Sequence, residues 1–344
     1  MFKWLHKPKL STLIDIYLEH KQLASNTVRL TKTAWGQLIE AVGDMRVNKF
    51  RQEQAIAVQR FWTGNLNGAS PAIYQKTVSP VFTWCVHRGY LKSNPFLEIR
   101  KPPVKKHLPR IYEPAEFLRI LKACADMRPE NRIRWLAILL LARTTGMRKS
   151  EIQNLCTESI DFDNQTITVR AKPEDNKHWF WQAKDREDRI VPLVRQVAGL
   201  LTELVFAIPQ AQPYVLLKPA RYYHLMEMQK AGLMSDRMRL SPITNFDVVF
   251  RKLKRKAQVK GRFHDFRSTC LTDLSGVLTL REVAEVAGHS DLKTTMVYLG
   301  VKNRRDAIDR ARNQVSTCLE SSAAPSQALH HTELRPVDYG QHAY

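Results

Sequence analysis

Residues 133–151 read IRWLAILLLARTTGMRKSE. From Ile133 to Ala142 the stretch is apolar nearly all round. That pattern predicts a helix buried on every side, at the centre of a core. Its uninterrupted apolar run, Trp135 to Ala142, is the longest in the chain and covers only eight residues. A bilayer needs about 20, so a membrane span is excluded here. Thr144-Thr145-Gly146-Met147-Arg148 then ends this helix and opens another, with Gly146 permitting the tight turn. Arg148 falls near a helix N-terminus, where backbone N–H groups favour an anion. Glu151, one turn on, is placed to orient a neighbouring cation. An ordinary helix–turn–helix joint with a capping carboxylate fits the same residues.

The chain around this helix is mixed. Upstream, residues 9–98 read as helices. Leu10, Leu13, Ile14, Tyr17 and Leu18 recur at helical spacing, and Asn26 is a candidate cap for a second helix carrying Trp35 and Leu38. A third helix is predicted over Gln52–Trp62. Ser70 then caps a fourth, with Pro71 at the favoured first position and Gly89 as its stop. Residues 99–110, IRKPPVKKHLPR, hold three prolines and a basic surplus and read as an extended linker. Lys101, Lys105 and Lys106 in it are candidates to cross a DNA backbone, and a solvated tether fits equally. Downstream, strand-like runs at Ile160–Phe162, Thr166–Arg170, Trp179–Gln182 and Arg189–Leu193 suggest a small antiparallel sheet. Helices follow to about Arg312, with an irregular stretch from Pro209 to Arg239. The small, polar end of the chain reads as a mobile tail. The expected architecture is mainly α with a small antiparallel sheet, an α+β class. Its parts are a helical domain (1–98), a linker (99–110), a second domain (111–312) and a tail (313–344).

With 344 residues, two domains are the prior expectation. The 54 Lys and Arg against 33 Asp and Glu give a net charge of +21. Such a surplus repels itself unless a polyanion is near, which makes nucleic acid the leading partner. Of the five cysteines, none sits in a CxxC pair. A disulfide framework or zinc knuckle is therefore disfavoured, and a reducing cytoplasm fits. The N-terminus lacks the apolar segment of a signal peptide.

Several short patterns suggest chemistry. Residues 251–262 read RKLKRKAQVKGR, in which seven of twelve residues are basic: Arg251, Lys252, Lys254, Arg255, Lys256, Lys260 and Arg262. On a helix this run would bind phosphates with steep salt dependence. His264 and Arg267 follow at i, i+3 spacing and point the same way from one helical turn. An imidazole beside a guanidinium suits a phosphate whose charge is stabilised while a proton moves. Gly288-His289 precede Tyr298 by a turn and a short helix. Lys184 lies between two strand-like runs, and Lys172 and Lys177 are its alternates. Each signal alone is modest: a lone tyrosine or histidine is more often structural, and a lysine at a hairpin tip is usually only solvated.

Together and in order, Arg148, Lys184, His264, Arg267, His289 and Tyr298 closely resemble the tyrosine recombinases, or phage integrase family. TTGMRKSEI resembles that family's first-arginine box, and KDREDRIVPL its hairpin lysine and the strand after it. HDFRSTCLTDL resembles its HxxR box, and AGHSDLKTTMVYLGV its histidine-to-tyrosine box. The resemblance covers roughly residues 110–302, and more loosely the helical domain before them. It implies a core-type DNA-binding domain followed by a catalytic domain. It also implies strand exchange through a 3′-phosphotyrosyl bond at Tyr298 and a Holliday junction, without ATP. In it Arg148 and Arg267 clamp the phosphate, His289 adds a hydrogen bond, His264 is general base, Lys184 general acid and Glu151 a support. No cofactor is implied, and no metal, since no convincing metal-ligand cluster stands out.

The partners implied are duplex DNA with inverted-repeat core sites, further copies of the chain up to a tetramer, and a possible directionality factor. A nucleoid-associated location in the cytoplasm follows. Integration or excision of a mobile element or prophage is the leading role. A Xer-like dimer resolvase, a type IB topoisomerase and a decayed DNA-binding regulator are the alternatives. A metal-dependent nuclease would want clustered carboxylates near these motifs.

Overall fold

A computed structural model describes residues 7–104, 108–183 and 188–321, without the side chains of 304–305 and 313–321. The chain divides into two compact units, Met1–His107 and Leu108–Tyr344.

The first unit is a bundle of four helices: α1 (Leu10–His20), α2 (Ser25–Val42), α3 (Gln52–Asn65) and α4 (Ser70–His87). Asn26 lies inside the first turn of α2 and does not cap it; Ala24 holds the N-cap. Leu10, Leu13, Trp35, Leu38, Val58, Trp62 and Phe82 are buried together. Phe50 stacks toward Phe82 at 4.6 Å between ring centroids, and Trp35 Nε1 donates to Leu10 O at 2.8 Å. A buried indole needs such a partner.

The second unit has α5 (Pro114–Lys122), α6 (Pro129–Thr145) and α7 (Lys149–Gln153). A sheet of β1 (Ile160–Asp161), β2 (Thr166–Val169) and β3 (Arg189–Pro192) follows. Then come α8 (Arg195–Ala207), α9 (Pro219–Lys230), α10 (Asp236–Leu240), α11 (Phe246–Ala257), α12 (His264–Leu274), α13 (Leu280–Ala287) and α14 (Leu292–Ser321). The architecture is thus mostly helical with one small antiparallel sheet. As its composition predicts, α6 is the central helix: Trp135, Ala137, Ile138, Leu139, Leu141 and Ala142 are all buried. It packs against α8 and α12. Among the described residues no helix is long and apolar enough to cross a membrane.

The sheet order is β1-β2-β3, with Ile167 opposite Val191 and Val169 opposite Arg189. Strand alternation puts Ile167, Val169, Val191 and Arg189 on the buried face and Ile190 outside. The expected strand at Trp179–Gln182 does not form. Its alternation is real, with Trp179 and Trp181 buried and Phe180 exposed, but only one isolated bridge joins Trp181 to Lys172. Side chains hold this segment instead: Trp179 stacks on Tyr214 at 3.8 Å and donates to Asn154 Oδ1 at 2.9 Å.

Two further expectations are corrected. The stretch Pro209–Arg239 contains α9 and most of α10. Tyr298 sits not on a short helix but near the start of the 30-residue α14, which runs to Ser321. No glycine or proline interrupts the chain between Gly300 and Pro325. The helix therefore continues past the expected end at Arg312.

Candidate active site

α6 ends at Gly146, which adopts φ 64°. This left-handed turn suits glycine and aims the Gly146 carbonyl sideways instead of along the helix. Arg267 Nη1 donates to that carbonyl at 2.6 Å. Arg148 is the N-cap of α7: its backbone N–H donates to Glu151 Oε2 at 2.7 Å and its Nη1 to Glu151 Oε1 at 3.0 Å. The joint is a capping arrangement and a cation support at once.

α13 opens with a capping box between Thr279 and Glu282 and closes at Gly288, φ 63°. The last carbonyls of a helix have no partner within it. Here the turn itself satisfies Ala284 and Glu285, through the N–H groups of His289 and Gly288. The next three carbonyls each accept from a different arginine. Arg189 Nε donates to Val286 O at 2.9 Å, Arg267 Nη2 to Ala287 O at 2.6 Å, and Arg148 Nη2 to Gly288 O at 3.4 Å. Guanidiniums are favoured at the negative end of a helix dipole. Glu151 ties two of them together, because Arg189 grips it with Nη1–Oε1 at 3.1 Å and Nη2–Oε2 at 2.5 Å. Arg148 and Arg189 thus share one carboxylate, while Arg267 is held by the Gly146 and Ala287 carbonyls.

Arg267 is 2% exposed, Glu151 2% and Arg189 8%. Burial, then the charge of Arg148, pushes the Arg267 guanidinium down to about 10, so it stays charged at neutral pH. Burial opposes the charge on Glu151, but the hydrogen bonds and charges of Arg189 and Arg148 outweigh it and hold the carboxyl below its usual range.

His289 joins the arginines to the tyrosine. Its Nε2 lies 2.9 Å from Arg267 Nη2 and its Nδ1 2.9 Å from the Thr295 hydroxyl. The neutral ring can satisfy both contacts if Nδ1 carries the proton and Nε2 accepts from Arg267. Its ring runs nearly parallel to that of Tyr298, at 11° and 6.1 Å between centroids. Tyr298 is 7% exposed and packs with Leu271, Val283 and Ala287. His264 starts α12 on an exposed edge. Partial burial of the ring, then the charges of Arg267 and Arg148, lower its pKa below the ordinary histidine value.

The structure thus brings Arg148, Glu151, Arg267, His289 and Tyr298 together, with His264 in the same electrostatic field. Lys184 lies outside the described residues, as do Lys105 and Lys106. Of the alternates, Lys172 is buried with its ammonium 5.3 Å over the Trp181 ring, and Lys177 is exposed. The basic run is split. Arg251, Lys252, Arg255 and Lys256 line the exposed face of α11 opposite Phe246, Phe250, Leu253 and Ala257. Gln258, at φ 54°, ends the helix, so Lys260 and Arg262 fall in the connection to α12. Lys254 is drawn back to the Gly261 carbonyl. Lys101 is exposed in the first unit.

Three contributors escaped the reading of the sequence as site residues. The signal for Arg189 was present: it is in strand phase with Val191 and Leu193, so its side chain had to point inward. Thr295 and Asp265 carried none, being ordinary polar helix residues. Asp265 is 3% exposed, and its Oδ2 accepts from the Arg262 N–H at 2.7 Å.

Known proteins resemble this chain in sequence and in fold. The family model described as the phage integrase family matches residues 110–305. Tyrosine recombinase XerC of Corynebacterium glutamicum is 26% identical over 86% of this chain and 90% of its own length. A tyrosine recombinase of Thermosipho africanus is 25% identical, over 88% of this chain and 99% of its own. In fold, the chain resembles the Tn1549 transposon integrase in complex with a circular intermediate DNA, with a TM-score of 0.66 and 17% identity. That match covers 85% of this chain and 95% of the integrase chain. It also resembles a lambda integrase tetramer bound to a Holliday junction, with a TM-score of 0.63 and 14% identity over 86% and 78% of the two chains. The chain belongs to the phage integrase family and is a tyrosine recombinase.

Proposed function

We propose that this recombinase exchanges DNA strands through a covalent bond between Tyr298 and a backbone phosphate, in the integration or excision of a mobile element or prophage. The observation that carries this reading is the chain of contacts from Arg267 through His289 to the Tyr298 ring. A phosphate seated on the guanidiniums of Arg148 and Arg267 lies beside the tyrosine oxygen. That oxygen attacks phosphorus, the bond to the 5′ oxygen breaks, and a 3′-phosphotyrosyl link and a 5′-hydroxyl result. His264 takes the tyrosine proton, Lys184 supplies one to the leaving oxygen, and attack by a 5′-hydroxyl of another strand reverses the step. A free tyrosine is only about one-thousandth ionised at pH 7, so the cationic surroundings are needed. Glu151 and Arg189 hold Arg148 in place.

The proposed substrate is duplex DNA with inverted-repeat core sites, bound by up to four copies of the chain, with a Holliday junction between exchanges and a directionality factor as a possible partner. A Xer-like dimer resolvase is the second reading, favoured by the likeness to XerC over 90% of that protein's length.

The test is a nicked suicide duplex bearing the attachment site, incubated with the purified protein and run on a denaturing gel. A covalent protein–DNA band is expected with the wild type and not with Tyr298→Phe. Absence of the band on a site that the protein binds would overturn the assignment.

A further inference from the structure

Away from the arginine cluster, the chain just after α7 meets the segment that follows β2. Cys156 Sγ, a Glu158 carboxylate oxygen and a His178 ring nitrogen all lie within 4.8 Å of one another. Cys156 is fully buried, and Glu158 is exposed, which leaves a way in from solvent. The His178 ring is fixed from its far side: Nδ1 lies 3.0 and 2.9 Å from the two carboxylate oxygens of Asp175. Asp175 is itself held by the backbone N–H groups of Lys177 and His178, at 2.7 and 2.6 Å.

With Nδ1 donating to Asp175, Nε2 carries a lone pair. It is buried, makes no hydrogen bond among the described residues, and lies 3.1 Å from Glu158 Oε1. Two acceptors that close need a cation or a proton between them. Tyr214, whose backbone bridges to Cys156, is buried nearby, and its hydroxyl has no hydrogen-bond partner among the described residues.

We propose that Cys156, Glu158 and His178 bind one thiophilic divalent cation of the Zn²⁺ type, with Asp175 orienting His178 and a water or the Tyr214 hydroxyl in the fourth position. Sulfur, nitrogen and oxygen donors are the set zinc takes, at about 2.0–2.3 Å. A carboxylate on the far nitrogen of a ligand histidine is the usual support. Tetrahedral ligands at those lengths stand roughly 3.3–3.8 Å apart, within a small side-chain rotation of the observed spacing. The Cys156 thiol now points to Asn154 O at 3.6 Å. On binding it releases its proton to solvent, and thiolate and carboxylate together balance the cation's two charges. The site is a staple: it joins residues 154–158 to 175–179 and shares no residue with the arginine cluster.

The test uses the full chain, stripped with chelator and titrated with Zn²⁺ and, separately, Co²⁺. One equivalent should bind, and Co²⁺ should show a thiolate-to-metal charge-transfer band. That band should vanish in Cys156→Ser and persist in Cys85→Ser, a buried thiol of the first unit. Glu158→Gln, at an exposed position that spares the fold, should weaken binding, and Asp175→Asn should lower affinity about 10- to 100-fold. Zn²⁺ should raise the Tm of the wild type more than that of Glu158→Gln. Lack of saturable uptake would mean that the three side chains hold no metal, and the proposal fails. Uptake with an unchanged Co²⁺ spectrum in Cys156→Ser belongs elsewhere in the chain, and the proposal fails then too.

Discussion

At the scale of single residues, the site depends on charges that burial would otherwise suppress. Arg267, 2% exposed, remains protonated at pH 7 because its pKa falls only to about 10. Arg267→Ala should slow cleavage of the suicide duplex about 100- to 1000-fold, the usual cost of losing a fixed transition-state donor. Arg267→Lys should recover little, since one ammonium cannot reach the Gly146 and Ala287 carbonyls in fork geometry. An Arg267→Ala protein that cleaves at the wild-type rate would remove the phosphate clamp. As the proposed general base, His264 should set the pH dependence. Its pKa is lowered, so the ring is neutral and able to accept a proton at pH 7, and protonation requires acid below the ordinary histidine value near 6.5. Single-turnover cleavage should therefore hold steady from pH 8 down through that value and fall only below it. His264→Gln should be slower throughout and lose that acid limb; an unchanged limb would assign it to another group.

At the scale of elements, the C-terminus of α13 is the frame. Its last carbonyls accept from Arg189, Arg267 and Arg148, which reach it from β3, α12 and the start of α7. α7 and β3, distant in sequence, thereby meet the consecutive helices α12 and α13 at one point. A Cβ on Gly288 would stand 3.0 Å from Arg189 Cδ, with φ at +63° besides. Gly288→Ala should therefore shift Arg189 and, through Glu151, Arg148. Glu151→Gln breaks a buried pair and should cost about 3–5 kcal/mol in stability, read as a fall in Tm at pH 7. The sign follows from its depressed pKa. The contribution is full above the unfolded value, near 4.3, and lost as pH falls through the folded one. The gap between wild type and variant should narrow on acidification, and a gap that widens would refute the pairing argument. Much of this frame could be read in the sequence, because the boxes are local. Thr145-Gly146-Met147-Arg148 announces its turn, and His264 and Arg267 share one helical face. Arg189 was legible too, by its phase with Val191. Strand pairing is not a local signal: Trp179–Gln182 alternates like a strand, but among the described residues only an isolated bridge at Trp181 pairs it. α9 buries only Tyr222, Leu225 and Met226, too few apolar positions for a periodic signal.

At the scale of the whole molecule, the net charge of +21 and the exposed basic face of α11 make DNA affinity a matter of ionic strength. The end of α14 is a different matter. Thr295, Tyr298 and Val301 anchor its start, but between Asn303 and Arg312 none of the described side chains is buried. Thirty residues make a helix about 45 Å long. Ile308 stands 53% exposed on this stretch. A helical stretch whose side chains stay exposed is marginal in water, and a covering surface would stabilise it. The resemblance to the tyrosine recombinases implies that this stretch is lent to a neighbouring protomer, so the expected cover is a second copy of the chain on DNA. This would couple the helix that carries Tyr298 to its neighbour and would make cleavage depend on assembly. Charge at Ala307 or Ile308, as in Ile308→Asp, should leave binding of a single half-site unchanged within about twofold and abolish the slower complexes of several protomers on a native gel. Half-site affinity falling in step with assembly would mean instead that the helix serves its own protomer.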